Sequence, residues 1–157
     1  MEFIISLTMR RVLLLILHFS FLILSACGSD GPAQQQQMPY GVVNLSLNLT
    51  NQQYRALRAD NGVAAFARNG PAGPAGVKGI YVVRQNAQSY LAFERNCPHQ
   101  PYDACALVSL DRSRLFLRDS CCNSQFDLRG QVTGGPSVRP LLQYSVSLQG
   151  DLLTVTN

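Results

Sequence analysis

Cys97-Pro98-His99 and Asp119-Ser120-Cys121-Cys122-Asn123-Ser124-Gln125-Phe126-Asp127 are the stretches that decide how this chain is read. His99 is the only histidine beyond an N-terminal leader, and Cys97, Cys105, Cys121 and Cys122 are the only cysteines beyond Cys27. Thiols gathered so tightly around a lone imidazole mark a place of metal binding or covalent stapling. Adjacent cysteines have Cα atoms only ~3.8 Å apart, below the usual range for a bridge, so Cys121 does not pair with Cys122. In extended backbone their side chains point to opposite sides, so each finds a different partner. Of the three connectivities open to four cysteines, two remain.

On either side of this region the pattern is that of strands. Val43, Leu45, Leu47 and Leu49 alternate with Asn44, Ser46 and Asn48, the period of a half-buried strand. Asn51 to Arg58 is expected as one short helix or turn capped by Asn51. Strands are expected at 63–68, 79–84, 90–95, 107–110, 115–118 and 125–128. Tyr144–Leu148 and Leu152–Thr156 flank Gln149-Gly150-Asp151 and read as a terminal hairpin. Asn69 to Gly76 carries Pro-Ala-Gly-Pro-Ala-Gly and is expected as a loop. Short strands joined by turns give a small antiparallel sandwich or barrel.

The leader has a separate logic. Arg10-Arg11 precede an apolar run from Val12 to Ile23, shorter than the ~20 residues a membrane-spanning helix needs. It ends in Leu24-Ser25-Ala26-Cys27, which resembles the lipobox of bacterial lipoproteins, so residues 1–26 are expected to be a signal peptide and Cys27 the lipidated residue. Two acyl chains suffice for stable anchoring. The chain is thereby expected in the bacterial cell envelope, outside the cytoplasm, where thiols oxidise. Gly28, not Asp, follows Cys27, which favours the outer over the inner membrane. Residues 27–40, with Gln34-Gln35-Gln36-Gln37, read as the lipidated cysteine and a polar tether, and 41–157 as the domain. Met9 is an alternative start to Met1.

Of 13 Lys or Arg and 9 Asp or Glu, Arg10, Arg11 and Glu2 fall in the leader, leaving a scattered balance of +3. Without a basic cluster, nucleic acid is excluded as a partner. With no base beyond His99 and no second domain, a hydrolase or oxygenase is also excluded, and the chain is not expected to be an enzyme.

The order of motifs from Val42 onward resembles the Rieske iron–sulfur family, whose Cys-x-His and Cys-Pro-x-His-Gly-x-x-Phe-Asp loops hold a [2Fe–2S] cluster. The resemblance implies an all-β antiparallel sandwich or barrel with an inserted cluster-binding-like subdomain. Its site loops fall at 96–105 and 119–126, and its proline loop at 134–140 around Gly135-Pro136-Ser137-Val138-Arg139-Pro140. Leu128-Arg129-Gly130-Gln131-Val132 resembles the hairpin after the second loop. Anchored on Phe126-Asp127, the family pattern sets Asp119 at the ligand cysteine, Ser120 at the proline, Cys121 at the bridging cysteine and Cys122 at the ligand histidine. A cluster on this chain would therefore rest on Cys97, His99, Asp119 and Cys122, with a carboxylate in place of sulfur and sulfur in place of imidazole. The resemblance assigns Cys105–Cys121 to the inter-loop bridge, which leaves Cys97 and Cys122 facing each other and able to form a second one.

Three functions follow. The foremost is a cluster-free, disulfide-stapled lipoprotein module serving a structural or interaction role, its partner being the membrane through the lipid anchor and possible envelope redox or structural proteins. The second is an electron carrier with an irregularly ligated [2Fe–2S] cluster. The third is a zinc or copper site on Cys97, His99 and one or two later cysteines. Phe126 is expected in the core, Asp127 in a turn, Gly134-Gly135 for backbone conformation, and Tyr102 flanking the site.

Overall fold

The computed structural model describes residues 37–157, so the expected signal peptide, Cys27 and most of the expected tether lie outside the described residues. The chain runs through β1 (Asn44–Asn48), a 3-10 helix (Gln52–Arg58), β2 (Val63–Phe66), β3 (Asn69–Gly70) and β4 (Gly73–Pro74). It continues through β5 (Ile80–Asn86), β6 (Ser89–Glu94), β7 (Val108–Leu110), β8 (Leu117–Asp119), β9 (Gln125–Phe126) and β10 (Val132–Gly134), and closes with β11 (Gln143–Gln149) and β12 (Leu152–Thr156). A six-stranded base sheet has the order β1-β12-β11-β6-β5-β2; a four-stranded tip sheet has the order β10-β9-β8-β7. Every pairing is antiparallel.

The alternation in Leu45 and Leu47 is used as expected: both are fully buried, while Asn44, Ser46 and Asn48 face out. Asn51 does cap the short helix, its side chain accepting from Gln53 N–H at 3.1 Å. The nine strands expected from periodicity are all present, and the hairpin implied for 128–132 is the β9–β10 pair. One expectation is corrected. Residues 69–76 are not purely a loop, because Asn69 and Gly70 pair with Pro74 and Gly73 in a two-residue ladder. Proline tolerates this place because so short a ladder has a free side for the missing N–H.

β5 is apolar on both faces, and this is what positions the tip. Ile80 and Val82 enter the base core with Leu45, Leu47, Leu153 and Val155, whereas Tyr81 and Val83 enter a second core with Phe93, Val108, Leu117 and Phe126. The β5–β6 hairpin is thus a wall shared by two cores. The tip is an insertion between β6 and β11. Phe93 faces Gln143, and Glu94 N–H donates to Leu142 C=O at 2.9 Å, so the chain leaves and re-enters the base at one place.

Candidate functional site

The base holds the first tip loop through a buried carboxylate. Glu94 is fully buried and accepts from Val77 N–H at 2.8 Å, Lys78 N–H at 3.0 Å, Asn96 N–H at 3.1 Å and Tyr144 O–H at 2.8 Å. Gly76 is required beside it: its φ is +70°, and a Cβ there would sit 2.1 Å from Glu94 Oε2. Burial, and then the charge of Glu94, push the Tyr144 hydroxyl well above its ordinary range, so it stays a donor. Asn96 in turn donates to Pro101 C=O at 2.9 Å, and Lys78 Nζ donates to the carbonyls of Asp103 and Ala106. These bonds fix the loop that carries Cys97, whose N–H meets Ala106 C=O at 3.2 Å.

The second loop follows β8. Asp119 N–H donates to Ser124 C=O and Asn123 N–H to Asp119 C=O, each at 2.9 Å, closing a tight turn in which Asn123 takes φ +61°. Asp119 is fully buried, and its Oδ1 accepts from Cys121 N–H at 2.7 Å. The proline loop covers this turn: Ser137 N–H donates to Ser124 Oγ at 3.0 Å, and Arg139 donates to Pro98 C=O at 2.6 Å. Gly135, with φ +87°, lies against Ser124 where a Cβ would come within 2.5 Å of its Cα.

Three of the four expected ligands converge. The donor atoms of Cys97, Asp119 and Cys122 all lie within 4.8 Å of one another. Cys97 Sγ is 3.6 Å from Cys122 Sγ, and Cys122 Sγ is 3.5 Å from Asp119 Oδ2 and 3.0 Å from Ser124 Oγ. Cys97 is fully buried and Cys122 half-buried. Burial above all, then hydrogen bonding to Asp119, holds the Cys97 thiol far above the ordinary cysteine range despite an opposing bond from His99 N–H. His99 does not join the group; it is half-buried two residues along. A Cys-x-His spacing brings the two backbones close without dictating which way the ring turns.

Cys105 and Cys121 form a disulfide across the two loops, with Cα atoms 5.5 Å apart and both residues on the exposed rim. Cys97 and Cys122 are free thiols in contact. Phe126 is fully buried, and Asp127 makes a turn, its Oδ1 accepting from Arg129 and Gln131 N–H at 2.8 Å each. Tyr102 lies exposed within the first loop, its hydroxyl donating to Gln37 C=O. Ser124, Ser137 and the Glu94–Tyr144 pair were not singled out from sequence. A lone carboxylate ending the otherwise apolar Tyr90–Phe93 run was the available signal for Glu94.

A base sheet, an inserted four-stranded tip and a disulfide joining two tip loops under a proline loop make this an all-β domain of Rieske-like architecture. Among solved structures, the chain is similar to the plasma membrane Rieske protein PetC3 of the cyanobacterium Synechocystis PCC 6803, with 24% identity, 50% of this chain and 77% of that chain covered, and a TM-score of 0.43. No protein-family model and no curated protein matches the chain.

Proposed function

We propose that this chain is a lipid-anchored protein of the bacterial cell envelope whose Rieske-like domain works without a [2Fe–2S] cluster, as a disulfide-stapled structural or interaction module. The convergence of Cys97, Asp119 and Cys122 carries the reading. A two-iron cluster needs its four ligands in two pairs facing each other across the rhomb, with imidazoles on one iron. Here three donors meet around one point, His99 is not among them, and an oxygen stands where sulfur is needed. Filling the site with two thiolates and a carboxylate would also add an anion to a buried centre, disfavouring its reduced form. The donor set does not fit the cluster.

The Cys105–Cys121 bridge supports the stapling role, and the thiol contact at 3.6 Å supports a second bridge in oxidised protein. Closing it removes two protons and two electrons from Cys97 and Cys122. These pass by thiol–disulfide exchange to a partner disulfide, which becomes a dithiol. Lipidation at Cys27 and an outer-membrane position complete the proposal.

The test is the full chain made in a bacterial envelope with iron supplied. The expected product is colourless, labels with fatty acid in a way lost in Cys27→Ala, and gains about 4 Da on reduction, as two bridges require. A Rieske-type paramagnetic resonance signal after dithionite overturns the reading in favour of electron transfer.

A further inference from the structure

We infer that, with its two thiols reduced, Cys97, Cys122 and Asp119 bind a single thiophilic divalent ion of the zinc type. The inference goes beyond the cluster-free reading and competes with the second bridge for the same two sulfurs. Its basis is a match of distances. A tetrahedral zinc ion holds sulfur at ~2.3 Å and carboxylate oxygen at ~2.0–2.2 Å, which sets neighbouring sulfurs ~3.8 Å apart and a sulfur and an oxygen ~3.5 Å apart. The structure has 3.6 Å between Cys97 Sγ and Cys122 Sγ, and 3.5 Å between Cys122 Sγ and Asp119 Oδ2. Two edges of the donor triangle therefore already match a coordination tetrahedron, and the third, between Cys97 Sγ and the Asp119 carboxylate, is within 4.8 Å.

The residues behind the donors keep them there. Asp119 Oδ1 is engaged by Cys121 N–H at 2.7 Å, which leaves Oδ2 turned to Cys122. Ser124 Oγ lies 3.0 Å from Cys122 Sγ and is itself held by Ser137 N–H. Such outer contacts orient ligands and raise metal affinity. Cys97 and Asp119 are fully buried and Cys122 half-buried, so an ion enters from the Cys122 side. Two sulfurs among three donors select zinc, cadmium or cobalt over magnesium and calcium, which want oxygen alone. His99 lies outside the trio, so the fourth corner goes to water.

Cobalt(II) is the probe, because thiolate ligation gives it an intense charge-transfer band. The full chain carrying Cys105→Ala and Cys121→Ala, so that reduction opens no second dithiol beside Asp103, is reduced with a phosphine, freed of reductant without oxygen, and titrated. The expected result is one equivalent bound with a two-thiolate band, displaced by zinc, while two thiols lose reactivity toward a disulfide reagent. Asp119→Asn keeps the acceptor for Cys121 N–H, so the fold is retained, and is expected to weaken binding at least 10-fold. Cys122→Ser is expected to abolish the two-thiolate band. His99→Ala is expected to leave the titration unchanged. Reduced protein with reactive thiols and no cobalt band overturns the inference, and so does loss of binding in His99→Ala. Neither result bears on the cluster-free reading, which the resonance spectrum tests separately.

Discussion

Replacing Glu94 by glutamine tests whether the buried carboxylate is what fastens the tip to the base. Glutamine keeps one carbonyl oxygen for one pair of donors, either Lys78 and Asn96 N–H or Val77 N–H and Tyr144 O–H. Its amide nitrogen then faces the other pair, all of them donors. The Tyr144 hydroxyl can turn and accept, but a backbone N–H cannot. At least one buried N–H is left without an acceptor, which costs about 1–3 kcal/mol, and the retained bonds lose the extra strength that a charged acceptor gives. The sum is about 3 kcal/mol. For a domain of this size that lowers Tm by roughly 12 °C. Urea denaturation reads the energy, and amide exchange at Val77, Lys78 and Asn96 reads the place. Tyr144→Phe removes one of the four donors and is expected to lose only about 1.5 kcal/mol. If Glu94→Gln unfolds within 1 kcal/mol of the parent by the same assay, the carboxylate is not the fastening point.

Other outcomes follow from the same geometry. Replacing Cys105 and Cys121 together by alanine reopens a loop of sequence separation 16 and is expected to lower stability by about 3 kcal/mol, read by urea denaturation with the parent as control. In protein with both thiols reduced, iodoacetamide at mild alkaline pH is expected to label Cys122 well before Cys97. The latter is sealed in the core, and burial with the Asp119 contact keeps its thiol protonated; peptide mapping showing Cys97 first would contradict this. Gly130→Ala is expected to lose about 3 kcal/mol, since φ is +77° and the new Cβ would come within 2.6 Å of the Phe93 ring. Gly150→Ala, at φ +58° with nothing within 4 Å, is the control and is expected to lose only about 1 kcal/mol in the same denaturation series.

The base was legible because its strands obey local rules. Leu45 and Leu47 alternate with polar residues, Asn51 caps its own helix, and Gly150 turns a hairpin, all within a few residues. The β3–β4 ladder was not legible, since Pro74 and the glycines around it argue against any strand. In the tip, the meeting of Cys97 with Cys122 came from alignment on Phe126-Asp127, not from periodicity. Glu94 shows the limit most clearly: its partners Val77, Lys78 and Tyr144 lie far along the chain, and nothing near Glu94 names them. The exclusion of His99 was equally hidden, because spacing in sequence carries no information on ring direction.

The doorway between Glu94 and Leu142 has a consequence for how this molecule tolerates change. Because the excursion begins and ends on hydrogen-bonded neighbours, the base meets the segment 95–142 chiefly through that doorway, the Glu94 knot, the Lys78 ammonium on the Asp103 and Ala106 carbonyls, and the core shared with Val63 and the β5–β6 wall. The side chains at donor positions 119 and 122 make their hydrogen bonds within the tip, to Cys97, Cys121, Ser124 and each other. Their chemistry is free to be rewritten, sulfur for nitrogen or oxygen for sulfur, while the platform beneath stays as it was.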